Sequence, residues 1–141
     1  MPSVNDASTH QLVPKHKSDN ETARLAVQAG YPAVQPVLYD LLGWIQDFNW
    51  PVAHELFDFL ASIGAPLAPH IRRVFSREDL SWHYGAIWLI RQSSELYSIF
   101  RADIHRIASF PTVAEHDERL DELCSDVIAD CERPNPNDRC S

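Results

Sequence analysis

The chain has 141 residues, the length of one ordinary domain. Hydrophobic residues make up 45% of it, with four Trp, six Phe and four Tyr, enough apolar surface for a core and an argument against disorder of the whole chain. The net charge of −8 argues against a nucleic-acid ligand, because phosphate contact needs clustered Lys and Arg, and it favours association with a basic partner.

The charge is unevenly spread. Residues 1–31 carry three acids and three bases, residues 32–111 eight and six, and residues 112–141 nine and three. The acidic end reads either as a solvated helix face or as a docking surface. No basic stretch followed by an apolar one marks a secretory leader, and no run of apolar residues is long enough to span a membrane, so a cytoplasmic location is expected. The three Cys (Cys124, Cys131, Cys140) are expected to be reduced thiols. On one helix, Cys124 and Cys131 would stand about 10 Å apart, too far for a disulfide.

In chain order, residues 1–12 are polar and aperiodic and are expected to be flexible. A helical domain is expected over 13–132. Ser18 with Glu21 reads as a capping box that starts the first helix, and Gly30 ends it. After Tyr31-Pro32, Val34, Val37, Leu38, Leu41 and Leu42 form one apolar stripe and predict a second helix over 33–42, with Pro36 in its first turn. Asn49 reads as the N-cap of a third helix that has Pro51 in its first turn and ends at Gly64. A fourth is predicted over 66–75. The fifth, over 80–92, is apolar on most sides and should be buried on more than one face, and Ser81 reads as its cap. A sixth covers 95–110. Thr112 with Glu115 makes another capping box, for a seventh helix that runs to Cys131 with Val113, Leu120, Leu123, Val127 and Ile128 inward. Residues 133–141, with Pro134 and Pro136, read as a flexible tail. No segment alternates as a strand would, and no Asn-Gly or Asp-Gly hairpin signal occurs. The expected core includes Leu25, Val34, Leu38, Leu42, Leu56, Leu60, Ile63, Ile71, Ile87, Trp88, Ile104 and Ile107.

The chain also echoes itself. Leu25-Ala-Val-Gln-Ala-Gly30-Tyr-Pro32 is matched by Phe59-Leu-Ala-Ser-Ile-Gly64-Ala-Pro66, and Trp50 and Trp82 each open the first helix of a pair. One helix pair cannot bury its apolar faces alone, whereas stacked pairs share a continuous core. The expected fold is therefore all-α: a short, right-handed HEAT-like α-solenoid of three helix pairs plus a C-terminal capping helix.

Several segments resemble a bacterial family of unknown function: Pro14-Lys-His-Lys-Ser-Asp19, Gly30-Tyr-Pro32, Trp44-Ile-Gln-Asp-Phe-Asn-Trp-Pro-Val-Ala53, Gly64-Ala-Pro-Leu-Ala-Pro-His-Ile71 and Asp79-Leu-Ser-Trp-His-Tyr84. The resemblance spans about residues 12–109 and implies a HEAT-like helical fold and a bacterial source. It carries no catalytic residues with it. By analogy, small bacterial families of this kind include immunity proteins that neutralise a toxin.

The segment Gln46-Asp47-Phe48-Asn49-Trp50-Pro51 concentrates polar groups and large aromatics at a turn, the composition of a binding edge. The plainer reading is that Asp47 and Asn49 cap the next helix while Trp44 and Trp50 pack between repeats. His54 and Asp58 share a helix face, and His83 follows Ser81, which keeps a metal site or a hydrolase in view. Yet no His-Glu-x-x-His or Cys-x-x-Cys pattern, nucleophile elbow or phosphate-binding glycine loop is present. Lys15 and Lys17 read as solvated residues, and Arg72, Arg73 and Arg77 complement a helix C-terminus.

The expected function is non-enzymatic protein binding, with Asp47, Asn49, Trp50, His54, Trp82 and His83 as candidate contacts and no cofactor or metal. A basic, toxin-like protein is the expected partner, with neither nucleic acid nor membrane involved. The alternatives are a small hydrolase or metal-dependent enzyme using His54, Asp58 or His83, and a structural subunit of a homo-oligomer.

Overall fold

A computed structural model describes residues 9–132. Eight α-helices and short 3₁₀ turns account for most of the described residues, and no strand occurs among them. The helices are α1 (Asn20–Ala29), α2 (Leu38–Leu42), α3 (Pro51–Ile63), α4 (Ala68–Phe75), α5 (Leu80–Gln92), α6 (Ser94–Ser109), α7 (Val113–Asp117) and α8 (Leu120–Cys131). The chain divides into two compact units, Met1–Ile63 and Gly64–Ser141. Of the segments expected to be flexible, residues 1–8 and 133–141 lie outside the described residues. Residues 9–12 are folded: Thr9 is buried, and its carbonyl accepts the Leu12 N–H at 2.9 Å.

In the first unit, α1 packs on α3. Its cap is Asp19 rather than Ser18: one Asp19 oxygen accepts the Thr22 N–H and the other the Lys15 N–H. Asp19 stands directly before the first helical residue, the position from which a side-chain oxygen reaches the amides of the first turn. The buried residues of α1 are Thr22, Ala23 and Ala26. Leu25, expected in the core, is 47% exposed. Small side chains line the contact, and Leu25 lies off that narrow stripe. The helix expected over 33–42 divides into a 3₁₀ turn, Gln35–Val37, with Pro36 at its start, and α2. The stripe itself holds, since Val34, Val37, Leu38, Leu41 and Leu42 are all buried. At the start of α3 the Val52 N–H donates to the Lys17 carbonyl at 3.1 Å, so main chain from before α1 satisfies an amide there.

In the second unit, α6 makes its broadest contact with α8, and α5 packs on α4, α6 and α8. The apolar breadth of α5 is explained by this burial: Trp82, His83, Gly85, Ala86, Ile87, Leu89 and Ile90 are all buried. Its cap is Asp79, whose side chain accepts the Trp82 N–H at 3.2 Å, and not Ser81, which is exposed. The capping box of Thr112 and Glu115 forms as expected. The helix it opens does not run on to Cys131, because Arg119 adopts a left-handed φ of 61° and separates α7 from α8. That break leaves Val113 79% exposed instead of inward. Ile63, Trp88 and Ile128 are half-buried, and the remaining expected core residues are buried. Cys124 and Cys131 are buried thiols with no disulfide between them, and burial pushes the Cys124 thiol up to about 12. Cys140 lies outside the described residues.

One matched feature accompanies the sequence echo. Gly30 and Gly64 both have positive φ, 75° and 74°, where each closes a helix ahead of a proline-containing 3₁₀ turn. Three Arg–carboxylate pairs, each within one unit, span the same interval of 31 residues: Arg24–Glu55, Arg72–Asp103 and Arg101–Glu132.

Candidate functional site

The turn that leads into α3 builds the most chemically distinctive surface of the first unit. A 3₁₀ turn, Gly43–Ile45, carries the chain out of α2 and buries Ile45. Asp47 Oδ1 then accepts the Asn49 N–H at 2.8 Å, and the Asp47 carbonyl accepts the Trp50 N–H at 3.1 Å. Asp47 is thus a turn-forming residue whose side chain replaces a main-chain acceptor. Asn49 is exposed.

This turn and α3 together hold four half-buried aromatic rings in two pairs. Trp44 and Trp50 meet edge to face with centroids 5.6 Å apart and planes inclined by 66°. Phe48 and Phe57 do the same at 5.5 Å and 80°. Such pairs hold each other's orientation and keep one face of each ring available. On one side, Phe48, Ala53, His54, Phe57 and Asp58 line a depression of about 280 Å³. On the other, Val13, Asp40, Gly43, Trp44, Gln46 and Trp50 line one of about 380 Å³. Between Arg24 and Arg72 the chain carries four carboxylates (Asp40, Asp47, Glu55 and Asp58) and no Lys or Arg. Arg24 pairs with Glu55 at 3.0 Å.

The structure therefore brings Asp47, Asn49, Trp50 and His54 together in the first unit. Trp82 and His83 lie in the second unit, and both are buried. The His83 Nε2–H lies 2.7 Å from the Arg77 carbonyl and 3.1 Å from that of Val74, and its ring packs edge-on against Phe75. His83 thus ties the end of α4 to α5. Among the described residues no three His, Cys, Asp or Glu side chains gather as metal ligands. No helix of the described residues is long and apolar enough to cross a membrane.

Two clusters in the second unit were not foreseen. The Arg106 guanidinium grips the buried Glu115 carboxylate with two bonds of 2.6 and 2.9 Å, and this pairing holds Glu115 below the usual carboxylate range. Tyr97, Arg101 and His105, one turn apart along α6, converge on Glu132 just beyond α8. The Arg101 bond first, then Tyr97 and His105, pull the Glu132 carboxyl down to about 2. The spacing of Tyr97, Arg101 and His105 was a visible sign that they share a helix face, but nothing in the sequence placed Glu132 against it.

The described residues form an all-helical fold, and that is the general class the structure defines. The chain belongs to the family described as a domain of unknown function, DUF5071, whose model matches residues 12–128. No curated protein matches it.

Proposed function

We propose that this protein is a non-enzymatic binding module that captures a basic protein through the turn from Trp44 to Asp58. The observation that carries this reading is the pair of depressions flanking four half-buried aromatic rings, in a stretch whose charged side chains are all carboxylates. Large aromatics held in place at a surface lose little entropy on binding and expel much water, so they dominate contact energies. Surrounding carboxylates speed encounter with a basic partner and make it sensitive to salt. The specific form of the proposal is an immunity-type inhibitor that neutralises a basic toxin domain. Trp50 is the expected anchor in one depression, His54 and Asp58 line the other, and Asp47 and Asn49 shape the turn.

We also propose that the helix pairs are HEAT-like repeats, three pairs with α8 as the terminal cap. The sequence echo and the left-handed glycines that end α1 and α3 support it. A crystal structure in which successive pairs fail to superpose would overturn the repeat.

The binding proposal is tested by affinity capture from native host cells at low and high salt, with wild-type protein and Trp50→Ala in parallel. One stoichiometric basic partner, held by wild-type protein at low salt and released by salt or by Trp50→Ala, is the expected result. No partner at either salt, or equal retention by a folded Trp50→Ala variant, would refute it.

A further inference from the structure

We infer that the depression between Trp44 and Trp50 is a receptor for an organic cation, the guanidinium or ammonium group at the end of a partner's Arg or Lys side chain. The carrier of that cation rests on the proposed function; the cation site itself does not. Two indole rings 5.6 Å apart and inclined by 66° form two walls of one corner. A cation is attracted to an aromatic face when it lies within about 6 Å of the ring centroid, so a single group in this corner reaches both rings. Asp40, exposed at the rim, supplies the opposite charge, and Gln46 adds a side-chain carbonyl that accepts N–H donors. Val13 contributes an apolar wall suited to the methylene stem of a long basic side chain.

Gly43 points the same way. Its backbone is helical, with φ −58° and ψ −25°, a conformation that every residue adopts. A Cβ there would stand 3.8 Å from Gln46 Nε2, in ordinary contact. Neither backbone geometry nor crowding calls for glycine at this position, whereas a side chain would intrude on the depression that Gly43 lines. Asp40 is the one charged side chain that lines the depression, and its sign favours a cation. No Lys or Arg lies between Arg24 and Arg72, and the basic residues nearest to the lining in the chain are Lys15 and Lys17, beyond Val13.

The test is a titration of the full chain with N-acetyl-arginine amide, followed through the four indole N–H signals in ¹H–¹⁵N spectra. Trp44→Phe and Trp50→Phe assign two of them. The neutral isostere N-acetyl-citrulline amide separates charge from shape, and choline separates a small quaternary ammonium ligand from a protein side chain. Saturable shifts of the Trp44 and Trp50 signals with the arginine derivative, and none with citrulline, are expected. Asp40→Asn should weaken binding about tenfold at low salt. Gly43→Leu should abolish it while the remaining spectrum stays that of the folded protein. A stronger response to choline than to arginine would keep the cation site and assign it to a quaternary ammonium. Equal response to citrulline, no response to any cation, or an Asp40→Asn variant that binds as wild type would overturn the inference. Loss of protein capture with the cation response intact would remove the proposed function and leave this site standing. Capture without a cation response would remove this site alone.

Discussion

Replacing Gly64 with Ala probes the joint between a helix end and the next capping carboxylate. Gly64 sits at φ 74° and ψ −131°, a region that L-residues avoid, and forcing Ala there costs about 1–3 kcal/mol. The added Cβ would also overlap Glu95 Oε1 and lie 3.3 Å from Glu95 Cδ, while Ser93 Oγ at 3.6 Å is in ordinary contact. Glu95 Oε1 accepts the Ala65 N–H at 3.0 Å and so satisfies an amide at the start of the 3₁₀ turn Ala65–Leu67. Displacing it forfeits a partly solvated hydrogen bond worth about 1 kcal/mol. The total for Gly64→Ala is then about 2–4 kcal/mol. Gly30→Ala is the internal reference: its φ of 75° brings the same kind of backbone strain, but nothing lies within 4 Å of the new Cβ. Urea unfolding followed by circular dichroism and tryptophan fluorescence gives the two costs, and a double-mutant cycle with Glu95→Ala isolates the overlap. In the Glu95→Ala background the Gly64→Ala penalty should shrink by about 1 kcal/mol toward the Gly30→Ala value. A penalty of the same size in both backgrounds would show that Glu95 plays no part and would refute the reasoning.

Two further outcomes follow from the ion pairs of the second unit. Arg106→Ala leaves the buried Glu115 carboxylate with its capping bonds but without its guanidinium, and should cost about 2 kcal/mol at neutral pH by urea unfolding. Because the folded-state pKa of Glu115 is lowered, its stabilisation is present above about pH 4.5 and is lost as pH falls through the lowered value. Wild-type protein should therefore lose more stability on acidification than Arg106→Ala, and parallel acid limbs would contradict the assignment. His116 behaves in the opposite sense: its hydrogen bond to Asp121, at 2.8 Å, raises its pKa above 6.5. That contribution is present below pH 6.5 and disappears as pH rises through the raised value. An imidazole NMR titration should place the His116 midpoint above 6.5 and move it back down in Asp121→Asn; an unchanged midpoint would exclude the pairing.

The sequence by itself determined where helices exist and much of where they stop. Apolar spacing identified the stripe from Val34 to Leu42, the wide burial of α5, and Ile104 and Ile107 of α6, because helical period and burial are linked through local geometry alone. The Thr112–Glu115 box and the glycines that close α1 and α3 were legible for the same reason, since each acts within four residues of itself. The turn from Gln46 to Pro51 stood out by composition, and its Phe48 and Trp50 each pair with a ring outside the segment, Phe57 and Trp44.

Tertiary structure decided what depends on partners distant in the chain. Local rules admit either Ser18 or Asp19, and either Asp79 or Ser81, as a helix cap; the choice falls to the residue placed one step ahead of the first helical turn. Val52 finds the Lys17 carbonyl, a main-chain acceptor that no side-chain pattern advertises. His83 stood as a candidate next to Ser81, yet Val74 in α4 and Arg77 just beyond it supply two carbonyls that let its polar ring stay buried. Leu25 looked like core because it is large and apolar. The close approach of α1 to α3 instead selects Ala23 and Ala26, since small side chains permit contact that a leucine would hold apart. The 31-residue interval of the ion pairs, the convergence on Glu132 and the corner between Trp44 and Trp50 likewise needed folded neighbours. A sequence states which groups a helix presents, and only packing states what each of them meets.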